Sequence, residues 1–115
     1  MRGATTVDED DEAQITERVQ ALVGEMLARN DVVHDDIISM IFTATEDLVS
    51  IFPAAAVRAA GLGDIPLLCA RELGVTDATR RCVRVLMHVV SDKPRADLRH
   101  VYLEGAQGLR DDLPG

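Results

Sequence analysis

One arginine interrupts an otherwise apolar stretch of the chain at residues 82–90. If this stretch is a β-strand, its side chains alternate between two faces. One face is then formed by Val83, Val85, Met87 and Val89, and the other by Cys82, Arg84, Leu86, His88 and Val90. A guanidinium keeps its proton in proteins, so Arg84 on a half-buried strand needs an anionic partner or a water-filled cavity. An internal salt bridge and a bound anion satisfy this requirement equally well.

The sequence shows none of the residue sets that carry nucleophilic or metal-assisted catalysis. It has no Ser-His-Asp set, no paired Cys and His, no clustered metal ligands and no glycine-rich phosphate loop. The histidines His34, His88 and His100 are too scattered to indicate a metal site. This pattern fits a catalyst that needs neither nucleophile nor metal, and it fits a protein without catalytic activity equally well.

Composition limits the classes of partner. The 115 residues are enough for one domain, 1–115, with one modest core. Aromatic residues make up only 3%, so the core must be aliphatic and a stacking platform for single-stranded nucleic acid is not expected. Seven carboxylates lie at residues 8–12 and 111–112, which leaves a net charge of −1 on the rest of the chain out of −8 in total. A carboxylate run before a helix complements the helix dipole, so we interpret residues 8–12 as structural.

Cys69 and Cys82 are too few for a disulfide scaffold or a metal site, and both lie in apolar segments typical of buried free thiols. No apolar run is long enough to span a bilayer, and the first residues do not resemble a signal peptide. We therefore expect a soluble, cytoplasmic protein without a membrane partner.

The hydrophobic pattern predicts five strands and two helices. The strands are expected at residues 2–7, 36–43, 65–70, 81–90 and 100–103, and the helices at residues 13–29 and 53–60. The first helix ends at Asn30-Asp31, the second begins at Pro53, and residues 61–63 end it. Pro66 suggests an edge strand or a strand start.

The order of these elements indicates the α+β class, a mixed five-stranded β-sheet with helices on one face. Residues 105–115 have no clear pattern, and we expect them to form a mobile C-terminal segment. The second face of such a sheet is left uncovered, so self-association is a reasonable way to bury it.

The segments of the chain resemble the monofunctional, trimeric class of chorismate mutase, which has a pseudo-α/β-barrel. The matching pieces occur in the family's order at nearly the family's spacing and cover essentially the whole chain. They are residues 2–6, 44–45, 52–54, 57–58, 66–72, 82–85, 99–104 and 109–110.

The resemblance implies conversion of chorismate to prephenate, at the branch toward phenylalanine and tyrosine, in a homotrimer with three sites between neighbouring subunits. The reaction is a concerted [3,3] rearrangement, so no cofactor and no metal is expected. Leu68 stands where a threonine is common in the family, and Ala55 replaces a lysine that some members have near the pocket.

The resemblance also implies roles for individual residues. Arg84 should contact the breaking ether oxygen and a substrate carboxylate, and Arg2 and Tyr102 should bind carboxylate. Glu72 and the region of Cys69 should meet the ring hydroxyl, although on strict alternation a bend near residue 70 is needed to bring both to one pocket. The remaining substrate-binding positions line the pocket or guard its mouth, and they are Phe52, Arg58, Leu109 and Arg110.

Two other functions remain open at this point. A trimeric enamine or imine deaminase, a hydrolase, has a related barrel-like assembly with interfacial arginines. A non-catalytic ligand-binding trimer could have kept the same pocket.

Overall fold

The computed structural model describes residues 1–109, and in that range it contains five strands and two α-helices. In chain order they are β1 (Arg2–Thr6), α1 (Glu12–Arg29), β2 (Ile37–Ala44), α2 (Pro53–Val57), β3 (Leu67–Arg71), β4 (Cys82–Val89) and β5 (Val101–Tyr102). Single 3₁₀ turns lie at His34–Asp36, Arg95–Asp97 and Glu104–Ala106. The predicted α+β class with a mixed five-stranded sheet is confirmed.

All five strands form one sheet in the order β3-β2-β4-β1-β5. The central strand β4 runs antiparallel to both of its neighbours, β1 and β2. The outer pairs, β1 with β5 and β2 with β3, are parallel. In this register Arg84 lies between Ala4 on β1 and Thr43 on β2. The predicted charged position is therefore in the middle of the sheet.

The main core lies on one face of the sheet. There the predicted apolar face of β4, including Val83, Val85 and Met87, is buried. The buried stripe of α1 packs against it and consists of Ile15, Val19, Leu22, Val23 and Met26. Residues of α2, among them Val57, belong to the same cluster. Both helices therefore cover one face, as predicted, and among residues 1–109 no α-helix lies over the face that carries Arg84.

The acidic residues before α1 have the structural role that the sequence predicted. Asp11 is the N-cap residue, and its carboxylate accepts a hydrogen bond from the backbone N–H of Gln14 at 2.9 Å. Asp10 accepts from the backbone N–H groups of Val49 and Ser50, both at 3.1 Å. These carboxylates therefore cap a helix and hold the chain that leads to α2.

The second helix is shorter than predicted. Its α-helical part, Pro53–Val57, passes into a π-helical turn at Arg58–Leu62. The φ angle of Gly61 is 93°, in the left-handed region that glycine adopts without steric penalty, and the turn ends there. Glycine at this point was predicted to end the helix, but apolar periodicity does not distinguish the last α turn from a π turn.

The edge strand β3 begins one residue after Pro66, two residues later than the predicted start. Proline has no N–H to give to a ladder, and Pro66 contributes only its carbonyl, which accepts from the N–H of Met40 at 3.0 Å. The prediction of an edge strand or a strand start at Pro66 is confirmed.

The start of the C-terminal segment is packed onto β1. The N–H of Gly105 donates to the hydroxyl of Thr6 at 2.8 Å, and Ala106 is fully buried beside Ala4 and Cys82. Leu109 packs against this small cluster. Residues 105–109 therefore have packing contacts, and the remainder of the predicted C-terminal segment, from Arg110 onward, lies outside the described residues.

Within residues 1–109, no helix has the length and apolar character needed to cross a membrane.

Asn30 joins the end of α1 to the segment before β5. Its amide nitrogen donates to the carbonyls of Met26 at 2.8 Å and Arg99 at 2.9 Å, and its oxygen accepts from the N–H of Arg99 at 2.6 Å. We expect Asn30→Ala to lower the free energy of unfolding in urea by about 2 to 4 kcal/mol, because it leaves buried backbone groups without partners. Gln20→Ala, which removes one partly buried bond to the carbonyl of Ala56, should cost about 1 kcal/mol or less. Equal losses in the two variants would contradict this account.

The two cysteines should differ in reactivity. Cys82 is fully buried, and burial raises the pKa of its thiol, an effect that the Arg84 guanidinium opposes and the Glu72 carboxylate supports. Cys69 is only half-buried. Since the thiolate is the reactive form, we expect a disulfide reagent to modify Cys69 faster than Cys82 in the folded protein. Cys69→Ala should abolish the fast phase and Cys82→Ala should keep it, and the reverse pattern would contradict the burial order.

Candidate functional site

Arg84 has the anionic partner that the sequence required. Its Nε lies 2.9 Å from Oε1 of Glu72, with the arginine side chain 39% exposed and the glutamate side chain 20% exposed. The Nε–H is not directed at the carboxylate, and Nε is buried without a hydrogen bond. The contact is therefore electrostatic, and it leaves one buried donor of Arg84 unsatisfied.

A cavity lies beside this arginine on the helix-free face of the sheet. It has a volume of about 260 Å³ and is lined by Arg2, Gly3, Ala4, Ile41, Thr43, Arg84, Val85, Leu86 and Tyr102. The hydroxyl of Tyr102 is buried and has no hydrogen-bond partner. Both unpaired atoms belong to residues that line this cavity, and its two guanidinium groups, from Arg2 and Arg84, with the phenol of Tyr102 suit a polar, electron-rich ligand.

The pairing of strands brings three predicted site residues to this cavity. Arg2, at the start of β1, lies opposite Leu86 of β4. Tyr102 of β5 pairs with Ala4, the residue of β1 that is opposite Arg84. Two cationic side chains and a phenol thus line a space on three neighbouring strands, an arrangement suited to carboxylate groups.

Glu72 is held at this site through its backbone and its side chain. Its N–H donates to the carbonyl of Ala44 at 2.9 Å, which extends the pairing of β3 with β2 by one residue. Its carboxylate accepts from the hydroxyl of Thr43 at 2.5 Å. The sequence analysis did not identify Thr43, because its position opposite Arg84 depends on the register of β2 and β4 and leaves no signal in either segment.

Cys69 does not join Glu72, and the expected bend near residue 70 is wrong. Strand β3 stays regular through Arg71, with Cys69 paired to Phe42 and Ala70 to Thr43. Strict alternation therefore holds, so Cys69 packs against the main core while Glu72 reaches Arg84 on the other face. Within one chain these two residues belong to different pockets.

The pocket that contains Cys69 also contains Phe52. It has a volume of about 600 Å³, and its lining includes Ala44, Leu48, Phe52, Pro53, Cys69 and Arg71. Phe52 is the N-cap residue of α2, and its ring is 70% exposed, so it is not packed as an ordinary helix staple. Arg58 is exposed at the first position of the π turn that follows α2.

The predicted site residues therefore form two groups in one chain. The cavity on the helix-free face has Arg2, Arg84, Tyr102 and the adjacent Glu72. Phe52 and Cys69 share the second cavity, with Arg58 on the helix that begins beside it. Leu109 packs on the small cluster below Tyr102, and Arg110 lies outside the described residues. Among residues 1–109, no group of His, Cys, Asp and Glu side chains is arranged to hold a metal ion.

Comparison with known proteins identifies relatives of this chain over nearly its whole length. The family model described as chorismate mutase type I matches residues 1–113. The chain is 40% identical to chorismate mutase AroH of Bacillus subtilis (strain 168) over 114 residues, covering 98% of this chain and 90% of that protein. It is 43% identical to chorismate mutase AroH of Thermus thermophilus over 114 residues, covering 98% and 93%.

A solved structure has the same fold. The chain superimposes on a chorismate mutase from Clostridium thermocellum with a TM-score of 0.92 and 44% sequence identity, over 94% of this chain and 96% of that one. A family match over nearly the whole length, together with relatives well above 30% identity, identifies the family. This chain belongs to the type I chorismate mutase family.

Proposed function

We propose that this protein converts chorismate to prephenate at the cavity beside Arg84. Family membership and both curated relatives support chorismate mutase activity, an intramolecular isomerisation. The observation that carries the proposal is the cavity itself, which is lined by the two arginines Arg2 and Arg84 and by Tyr102.

The chemistry of the rearrangement explains why such a simple cavity is sufficient. Chorismate is a dicarboxylate that rearranges in one concerted step, in which a C–O bond breaks while a C–C bond forms. The enzyme has to hold the compact reactive conformer, which removes conformational entropy before the barrier. It also has to stabilise the partial negative charge that develops on the ether oxygen as C–O cleavage runs ahead of bond formation.

The residues at the cavity match these two tasks. The fixed guanidinium of Arg84 is assigned to the ether oxygen, where its positive charge stabilises the transition state more than the ground state. Arg2 and Tyr102 are assigned to the substrate carboxylates. Glu72, held 2.9 Å from Arg84, is assigned to the ring hydroxyl. In this arrangement the ion pair with Glu72 orients Arg84.

The second group of residues points to a site shared between copies of the chain. Cys69 and Phe52 cannot reach the Arg84 cavity within one chain, because the sheet separates Cys69 from Glu72. We infer that the Phe52 and Cys69 cavity of one copy completes the Arg84 cavity of the next, with Arg58 at the mouth. A cyclic homotrimer of this kind, closing into a pseudo-α/β-barrel, would also cover the helix-free face.

That face carries the apolar surface expected of an interface. Leu68 of β3 and Leu86 of β4 are exposed there, and Val90 is exposed directly after the end of β4. Large apolar side chains gathered on one uncovered sheet face favour burial against another protein surface.

No observation on this chain favours the deaminase alternative or a non-catalytic trimer. The expected cytoplasmic location and the expected absence of a nucleic-acid partner stay predictions.

The first test of the catalytic assignment is Arg84→Ala. We expect it to lower kcat/KM for chorismate by about 10²-fold or more, because loss of one preorganised donor to a developing charge costs about 2.7 to 4 kcal/mol. The disappearance of chorismate absorbance measures the rate. Arg29→Ala is the matched control, since Arg29 pairs only with Glu25 on the surface of α1, and its rate should equal that of the unmodified protein.

Two outcomes would contradict the assignment. Unchanged activity in Arg84→Ala would show that this guanidinium does not stabilise the transition state. A change in the mass of the assembly in the same variant, measured by light scattering, would indicate that Arg84 has a structural role.

The shared site can be tested by mixing two inactive variants. Arg84→Ala damages the first cavity, and Phe52→Asp places a carboxylate on an exposed position of the second, where it repels a dianionic substrate. Each variant alone should be inactive. When the two are co-expressed at equal levels, random cyclic trimers should regain about a quarter of the wild-type activity, because each mixed trimer has one site built from two undamaged halves.

Failure to regain activity in purified mixed assemblies would contradict a site shared between copies. A monomer mass for the unmodified protein would contradict the shared site directly.

A further inference from the structure

Thr43 lies next to the Arg84 and Glu72 pair on the helix-free face of the sheet. It stands directly opposite Arg84 in the pairing of β2 with β4, and it lines the same cavity. Its hydroxyl donates to Oε1 of Glu72, which is the same oxygen that lies 2.9 Å from Nε of Arg84. One carboxylate oxygen is therefore shared between a neutral donor and a cation.

This sharing affects the direction in which the N–H groups of the Arg84 guanidinium point. A free carboxylate and a guanidinium favour a bidentate pair with two parallel N–H···O bonds. In that geometry the N–H groups of Arg84 would be directed at Glu72 and away from the cavity. The hydroxyl of Thr43 competes for Oε1, and the Nε–H of Arg84 is in fact not hydrogen-bonded to it.

The carboxylate is also fixed from the backbone side. The N–H of Glu72 is bonded to the carbonyl of Ala44, the residue after Thr43. Glu72 follows the last residue of edge strand β3, where the chain leaves the sheet. Two adjacent residues of β2, Thr43 and Ala44, thus hold the side chain and the backbone of Glu72, which lies just beyond the end of β3.

We propose that Thr43 is a positioning residue for the rearrangement, which keeps the Glu72 carboxylate from forming a directed, bidentate pair with Arg84 and so keeps the guanidinium available to the cavity. This inference rests on the proposed function of the Arg84 cavity. Thr43 acts through Glu72 and needs no contact with the substrate.

The decisive comparison is between Thr43→Val and Thr43→Ser. Valine keeps the shape and strand preference of threonine but removes the hydroxyl, whereas serine keeps the hydroxyl. We expect Thr43→Val to lower kcat by about 10- to 100-fold, the range for a hydrogen bond to a charged group, with KM changed by less than about threefold. Thr43→Ser should stay within about threefold of the unmodified enzyme.

A double-mutant cycle separates action through Glu72 from other roles. In a Glu72→Ala background, Thr43→Val should have no further effect on the rate, because the group that it positions is absent. Ser39→Ala is the matched control. The hydroxyl that it removes lies on the same face of β2, is hydrogen-bonded to His88 and does not line the cavity. Its kcat should be unchanged.

Each outcome of these experiments leads to a single conclusion. If the unmodified protein does not convert chorismate, the proposed function fails. If the unmodified protein is active and Thr43→Val is equally active, only the inference about Thr43 fails. A loss in Thr43→Val that persists in full in the Glu72→Ala background would overturn positioning through Glu72.

Discussion

A guanidinium placed in the middle of the central strand is the constraint on which the rest of this structure depends. Arg84 cannot lose its charge, so the fold has to supply an anion close by and water or a ligand beyond it. Glu72 supplies the anion from the end of the edge strand, at 2.9 Å. The helices and the main core lie on the opposite face, so that among the described residues no α-helix covers the face that carries the charge. The cavity therefore exists because the charge prevents that side of the sheet from becoming core.

The two faces of the sheet have separate tasks. One face, with α1 and α2, builds an aliphatic core that gives a small chain its stability. The other face holds the cavity and a set of exposed apolar side chains, and we assign it to ligand binding and to self-association. Because the proposed interface and the proposed site share this face, assembly and activity are linked. A change that weakens contact between copies would also disturb the walls of the site.

Much of the fold could be predicted from local patterns, while the site depended on register. Alternation in β4 and the helical stripe of α1 placed both elements within one or two residues, because periodicity is encoded in each segment. Thr43 could not be found this way, since its contact with Glu72 depends on how two distant strands align. For Cys69 and Glu72, alternation was correct, and the bend introduced to bring them together was wrong. The π turn after α2 also leaves no periodic signal.

The pairing of β1 with β5 has a consequence for biosynthesis. Arg2 comes from the first strand and Tyr102 from the last, and the two strands are joined side by side only through contacts that span nearly the whole chain. A polypeptide still emerging from the ribosome has the first wall of the cavity long before it has the last. An unfinished chain therefore lacks one wall of the cavity until β5 has been made.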